Sequence, residues 1–445
     1  MTKQIILIGA GLSTQSLVPY LESKLNEYDW HLKVLDRDFT TAAERLGKPN
    51  ERCVAGALDI SDTDALNNAL NGAHLVISMV PAHMHLNVAK ACLKHKSHLV
   101  TASYLTPEMR ELDQAAQDNG LVFLNECGLD PGIDHMSAAR LLDGIRNDGS
   151  EIVLFESFTG GLLSPESEGT NPWRYKFTWN PRNVVLAGQG TAQYIKQGKY
   201  KYIPYAKLFE RTEVMEVLDA GEFEGYANRD SLGYRAAYGL EDIPTLFRGT
   251  LRRKGYCKAW NMFVQLGMTD DAYKVENSEN LTYREFINLF FPYNNELSVE
   301  EKFCSYLNLS QDSEEFRKIE WLGVFTDTIV AFKNASPAQI LQKICEGKLT
   351  LDSEDKDMIV MQHQFEYVEN GVQKKLNSSL LVFGDDPIYT SMAKTVGLPV
   401  AIAAKLILTG KIKSTGVKIP TTKDIYIPVL KELEENGINF VEELV

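Results

Sequence analysis

Several large protein classes are excluded by what this chain lacks. Its six cysteines, Cys53, Cys92, Cys127, Cys257, Cys304 and Cys345, are scattered and form no Cys-x-x-Cys pair. That argues against a disulfide framework or a zinc site and for reduced thiols in a cytoplasm. The eight histidines include His83 and His85 two apart, but no carboxylate or cysteine stands near them at ligand spacing, so no metal is expected. Positive charge is also scarce. With 46 Lys plus Arg against 60 Asp plus Glu, the net charge is -14 and the pI about 5.2, the wrong sign for a nucleic-acid or anionic-membrane binder. Long apolar runs are missing. Leu398 to Leu408 is broken by Lys405 and falls short of the roughly 20 residues that span a bilayer, and the opening run to Ile8 is too short for a signal-peptide core. There is no internal repeat and no low-complexity tract.

What is present suits a soluble metabolic protein of two or three domains: 445 residues, 44% hydrophobic and 10% aromatic. The first third alternates apolar strands with helices. Lys3 to Ile8, Leu32 to Leu35, Leu75 to Val80, His98 to Thr101 and Leu121 to Leu124 read as buried strands. Helical patterns run through Leu17, Leu21 and Leu25, Asp64 to Leu70 (capped by Ser61), His85 to Lys94, and Pro107 to Asn119. This rhythm predicts a Rossmann-type parallel sheet covered on both faces. Beyond about residue 135 it changes. A strand at Ile152 to Thr159 precedes a loop from Gly160 to Pro172. Helices dominate from about Thr245 to Gly347, among them Tyr256 to Leu266, Tyr283 to Phe291, Phe316 to Leu322 and Pro337 to Cys345. Met358 to Tyr367 and Gln373 to Phe383 flank Glu369-Asn370-Gly371, a hairpin signal. Two last helices are expected at Pro399 to Leu408 and Ile427 to Glu435. Whether they return to the nucleotide domain is not readable from periodicity.

Four places could carry chemistry. Gly9-Ala10-Gly11-Leu12-Ser13-Thr14 follows a strand and opens a helix, so small residues can bring the backbone close to a pyrophosphate, although Thr14 replaces the third glycine. Asp36 closes the second strand, where a carboxylate can bond a ribose 2'-hydroxyl and repel a 2'-phosphate. That favours NAD, while the adjacent Arg37 leaves NADP possible. Ser78 to Pro81 and Thr101 to Tyr104 end the next two strands, at the edge where open α/β sheets bind ligands; Tyr104 is either a buried core tyrosine or an acid. Glu126 to His135 follows another strand to the same edge. There Pro131 and Gly132 suit a turn aiming Asp130 into the crevice, with Asp134 as a helix cap. A carboxylate so placed can carry a proton. Finally, Asn228-Arg229-Asp230-Ser231 and Arg248 to Arg253 bring local positive charge. Arg229 suits a carboxylate ligand, and Arg252 and Arg253 are either ligands or surface ion pairs.

Taken together, Val100 to Tyr104, Glu126 to His135, Asn171-Pro172 with Tyr175 to Trp179, Asn228 to Ser231, Arg248 to Arg252 and Met392 to Pro399 resemble the saccharopine dehydrogenase family of the glutamate-forming type, in family order over nearly the whole chain. The resemblance implies an NAD(P)-dependent oxidoreductase of lysine metabolism acting on a small amino-acid substrate. It would interconvert saccharopine with L-glutamate and L-2-aminoadipate 6-semialdehyde through an imine. It also implies a cytoplasmic homodimer with a Rossmann domain at 1–134 and 385–445, a central α/β substrate and dimerisation domain at 135–244 and 348–384, and a helical subdomain at 245–347. Carried over by position, it implies proton transfer at Tyr104 and Asp130. Substrate contacts would fall at Ser103, Tyr104, Asp130, Arg229 and Thr250, and cofactor contacts at Gly9, Gly11, Leu12, Asp36, Ser78, Leu129, Asp130 and Asn180.

One departure stands out: Thr159 occupies the place of a family cysteine, and a hydroxyl cannot become a thiolate at neutral pH. Two other readings compete. A sister reductive-condensation enzyme such as carboxynorspermidine dehydrogenase would share the nucleotide domain but not the 228–231 and 248–252 segments. A non-catalytic cofactor-binding regulator finds support only in Thr159. The Tyr-x-x-x-Lys spacing of short-chain dehydrogenases occurs only at Tyr20 to Lys24, inside the first helix after the glycine loop.

Overall fold

The computed structural model describes residues 2–445. The chain divides into two compact units, Met1–Ile152 with Val368–Val372 and Leu380–Val441, and Val153–Tyr367 with Gln373–Ser379 and Glu442–Val445.

In the first unit, seven parallel strands form one sheet. Strands β1 (Lys3–Ile8), β2 (Trp30–Asp36), β3 (Cys53–Ala57), β4 (Leu75–Ser78), β5 (His98–Thr101) and β6 (Val122–Leu124) are joined by Gly416–Lys418 in the order 416–418, β6, β5, β4, β1, β2, β3. Between them run α1 (Leu17–Tyr28), α2 (Phe39–Leu46), α3 (Thr63–Leu70), α4 (His85–His95), α5 (Pro107–Arg110) and α6 (Asp113–Asp118), and α7 (Ile133–Asn147) follows β6. Ile5 to Ile8 and all of β4 are buried because helices cover both faces, hence their unbroken apolar runs. Chain order reverses between β1 and β4, which opens a crevice at the carboxyl ends of the strands.

Three local expectations are corrected here. Helix α3 is capped by Asp62, whose carboxylate accepts the N–H groups of Asp64 and Ala65, and not by Ser61. The helix expected over 107–119 breaks in two, where the Asp113 carboxylate accepts the Val417 N–H of the short strand Gly416–Lys418. That strand and β3 carry too little apolar pattern to be read in advance. The helix expected from Pro399 begins at Ser391 and continues to Leu408, capped by Thr390. Almost all of it is buried, and a Cβ on Gly397 would lie 2.5 Å from the Ser13 carbonyl oxygen, so close packing against the glycine loop outweighs the break expected at Pro399. Its length and mean hydropathy of 1.5 would suit a membrane span, but 78% of it is buried in the protein, as in a core helix. Helix Lys423–Glu435 joins the same unit through Tyr426, whose hydroxyl donates to Asp143 at 2.7 Å.

The second unit is built on a nine-stranded sheet. Its main path runs Glu213–Glu216, Glu222–Ala227, Thr245–Arg253, Glu151–Leu163, Asp357–Glu369, Val372–Phe383 and Phe440–Leu444, with Thr191–Lys196 paired to Thr245–Arg253 and Lys199–Pro204 paired to Thr191–Lys196. The hairpin turns at Asn370 and Gly371, both at positive φ, as their sequence requires. Gly160 to Leu163, expected in a loop, extends the strand, because Gly160 lets the Leu251 carbonyl oxygen come within 2.7 Å of where a Cβ would stand. Helices Tyr256–Leu266, Tyr283–Asn288, Val299–Leu307, Glu314–Trp321 and Pro337–Leu349 complete the unit. The last opens with a reciprocal Ser336 and Gln339 capping box and Pro337 at its first position.

Candidate functional site

The end of β1 turns sharply at Gly9, with φ +93; a Cβ there would stand 2.5 Å from the Met79 carbonyl oxygen. Only glycine fits. Two residues on, a Cβ at Gly11 would meet nothing within 4 Å, and Leu12 is 64% exposed, so the loop faces open space at the crevice. Thr14 is buried and donates its hydroxyl to the Gly11 carbonyl at 2.7 Å. Asp36 at the end of β2 accepts the Ala10 N–H at 2.8 Å and the Asp38 N–H at 3.1 Å, and Arg45 donates to the Ala10 carbonyl at 2.9 Å. These residues fit a dinucleotide: an open glycine turn before a helix, with a carboxylate fixed beside it.

Next along the edge lie the ends of β4, β5 and β6. The Ser103 N–H is given to the Thr101 hydroxyl at 3.2 Å, and Tyr104 is 52% exposed rather than buried. A cavity of about 210 Å³ is lined by His85, Thr101, Ser103, Tyr104 and Asn125. His85 is buried and stands between Ser78 at 2.8 Å and Ser103 at 2.6 Å. Burial pushes its pKa down to about 4, with His83 adding to the shift, so the ring is neutral at physiological pH. The backbone beyond β5 is tied to that beyond β6: Glu126 N–H donates to the Ser103 carbonyl at 3.0 Å and Cys127 N–H to that of Thr101 at 3.1 Å. Asp130 follows, half-buried, ahead of Gly132 at φ +151, where a Cβ would lie 2.0 Å from the Gly128 oxygen. Helix α7 starts at Ile133. Asp134 is not its N-cap: it lies in the first turn and accepts the Gly132 N–H at 2.6 Å. Leu129 is buried.

In the second unit, strands Glu222–Ala227 and Thr245–Arg253 pair antiparallel, which brings the 228–231 segment to Thr250. The Thr250 hydroxyl donates to the Asn228 side chain at 2.7 Å, Asp230 accepts the Gly233 N–H at 3.0 Å, and the Arg229 side chain is exposed. Thr159 is the parallel neighbour of Thr250, and its hydroxyl is buried. Asn180 is exposed and caps Pro181–Val185 through the Arg182 N–H. Arg252 and Arg253 are buried, not surface residues. Arg253 pairs with Glu168 at 2.9 Å, and Arg252 lies among the rings of Tyr175, Tyr226 and Tyr256, 5.2 to 5.9 Å from their centres.

A family model for the saccharopine dehydrogenase C-terminal domain matches residues 128–438, and one for the saccharopine dehydrogenase NADP binding domain matches residues 5–124. The chain belongs to the saccharopine dehydrogenase family. It is 32% identical over 454 residues to the Saccharomyces cerevisiae saccharopine dehydrogenase [NADP(+), L-glutamate-forming], covering 100% of both chains. The solved structure of apo saccharopine dehydrogenase (L-Glu forming) from that yeast matches with a TM-score of 0.88 at 31% identity, again over 100% of both chains. The chain is also 35% identical over 444 residues to the mitochondrial alpha-aminoadipic semialdehyde synthase of Rattus norvegicus, covering 98% of this chain and 47% of that protein. It therefore spans about half the length of that relative. The preference for NAD read from Asp36 finds no support in these relatives, since the yeast enzyme and the matched domain both carry NADP in their names.

Within this saccharopine dehydrogenase framework, the first unit gathers Gly9, Gly11, Leu12, Asp36, Ser78, Ser103, Tyr104, Leu129 and Asp130, while Asn180, Arg229 and Thr250 belong to the second. Sequence reasoning passed over His85 and Glu126. His85 was set aside for lacking metal-ligand spacing, and its position at the start of α4, just beyond a strand end, was the signal that could have found it.

Proposed function

We propose that this protein catalyses the nicotinamide-dependent interconversion of saccharopine with L-glutamate and L-2-aminoadipate 6-semialdehyde. The observation that carries this reading is the match to the yeast enzyme over the whole of both chains. Bound at the glycine turn, the dinucleotide would supply or accept the hydride at the substrate C–N bond. Gly9, Gly11 and Leu12 would cradle it, with Asp36, Ser78 and Leu129 along its length. The chain's own side chains handle the protons. Oxidation leaves an imine, water adds to it, and the carbinolamine breaks into amine and aldehyde. Each stage needs a group that gives or takes one proton, the role assigned to Tyr104 and Asp130. Saccharopine carries three carboxylates, which Arg229 and Thr250 would bind in a chain that is otherwise acidic.

NAD is the preferred cofactor in this proposal, because the Asp36 carboxylate is fixed beside the glycine loop by Ala10 and Asp38, where a 2'-phosphate would meet its charge. The proposal also includes a homodimer, and a reducing cytoplasm supported by six buried, unpaired cysteines. The test is the absorbance of the reduced nicotinamide with saccharopine and NAD or NADP in turn, with glutamate assayed as product. Turnover with NAD ahead of NADP is expected. Turnover with NADP ahead would overturn the Asp36 argument, and no turnover with either would overturn the activity.

A further inference from the structure

The His85 ring, in the cavity at the β4 and β5 ends, touches both Ser78 and Ser103. A neutral imidazole has one donor and one acceptor nitrogen, so its tautomer decides what each hydroxyl can do. Two hydroxyls face Nδ1: Ser78 at 2.8 Å and Thr101 at 3.5 Å. The Thr101 oxygen already accepts the Ser103 N–H, which leaves its own hydrogen free to point toward Nδ1. With both hydroxyl hydrogens turned toward it, Nδ1 would be the acceptor and Nε2 would carry the proton. Nε2–H then donates to the Ser103 oxygen at 2.6 Å, and the Ser103 hydrogen is left to point into the cavity. In the opposite tautomer Ser103 would spend that hydrogen on Nε2 and could offer only lone pairs.

We propose that His85 is a positioning residue that sets Ser103 as a hydrogen-bond donor and so selects a substrate bearing a carboxylate oxygen at that point. This rests on the reading of saccharopine as substrate and adds to it a reason for an otherwise unassigned buried histidine. Burial keeps the ring neutral, and its place at the positive N-terminal end of α4 works in the same direction. A charged imidazolium would also donate to Ser103 but would reverse its partnership with Ser78.

Two measurements decide it. In the free protein, imidazole nitrogen chemical shifts should show His85 as the neutral Nε2–H tautomer between about pH 5.5 and 8.5. An Nδ1–H tautomer, or titration inside that range, overturns the proposal whatever the enzyme's substrate is. In kinetics, an Asn amide overlays Nδ1 and a Gln amide overlays Nε2. His85→Asn should thus raise KM for saccharopine about tenfold or more while leaving kcat and the cofactor KM within about threefold, and His85→Gln should restore KM to within about threefold of wild type. Ser103→Ala should match His85→Asn, and the double variant should be no worse than either. Equal losses in the Asn and Gln variants, or additive losses in the double variant, overturn it. Absence of wild-type turnover with saccharopine counts against the proposed function instead, and the tautomer measurement, made on wild-type protein, needs neither turnover nor a folded variant.

Discussion

The Glu126 carboxylate accepts the Leu105 N–H at 2.8 Å across the mouth of the sheet, while its other oxygen stands 2.8 Å from Nε2 of His135 on α7. One oxygen is thus hydrogen-bonded and the other lies beside the His135 ring, in a residue that is buried and held at φ +55. This carboxylate fixes the backbone directly after Tyr104 to the segment that leads to Asp130. In Glu126→Ala the Leu105 N–H loses its partner and His135 loses its neighbouring carboxylate. Stability should fall by about 1–3 kcal/mol, read from urea unfolding. A variant with wild-type stability would show that the loop is held elsewhere.

Gly132 gives a sharper test of the same segment. At φ +151 with the Gly128 oxygen 2.0 Å from a built Cβ, Gly132→Ala cannot be accommodated without moving backbone. We expect a loss beyond the roughly 1–3 kcal/mol of a strained residue, seen as a lowered Tm, together with a larger fall in kcat than Gly144→Ala, where a Cβ meets nothing.

Arg229 is exposed and follows Asn228, whose side chain accepts the Thr250 hydroxyl at 2.7 Å. If it binds a substrate carboxylate, Arg229→Ala raises KM for saccharopine by the equivalent of about 1.5–3 kcal/mol and leaves thermal stability unchanged. An unaltered KM removes it from the site.

Glu156 gives the second unit a pH dependence. Burial, reinforced by Glu213, pushes its carboxyl up from 4.5 to about 7, and Lys196 at 3.9 Å offsets this only in part. The native chain therefore holds a proton that the unfolded chain has released between those values. Stability falls as pH rises from about 4.5 to about 7 and is level above, a change on the order of 1–3 kcal/mol. Glu156→Gln should flatten this stretch of the stability profile. A variant with the same slope as wild type would assign the dependence to other groups.

The local sequence was enough for the elements whose chemistry is self-contained. The glycine turn after β1, the Asn370-Gly371 hairpin and the Ser336-capped helix each follow from residues within a few positions of one another. Asp62 shows where that reading slips: two neighbouring residues could both cap α3, and only the backbone geometry chose between them. The order of residues also placed Ser78, Tyr104 and Asp130 after apolar runs, which is why one edge of one sheet could be anticipated for all three.

Tertiary structure decided whatever depends on partners far apart in the chain. Pro399 sits inside a helix because Gly397 packs on the Ser13 carbonyl, and Gly160 lies in a strand because Leu251 approaches it. Arg253 is buried because Glu168, 85 residues away, pairs with it. His85 and Ser103 are 18 residues apart, on different elements of the sheet edge, and Glu126 meets His135 only once α7 is in place. Periodicity reports which face of an element is apolar. Hydrogen-bond partners, and with them the protonation state of a buried ring, exist only after the strands have been set side by side.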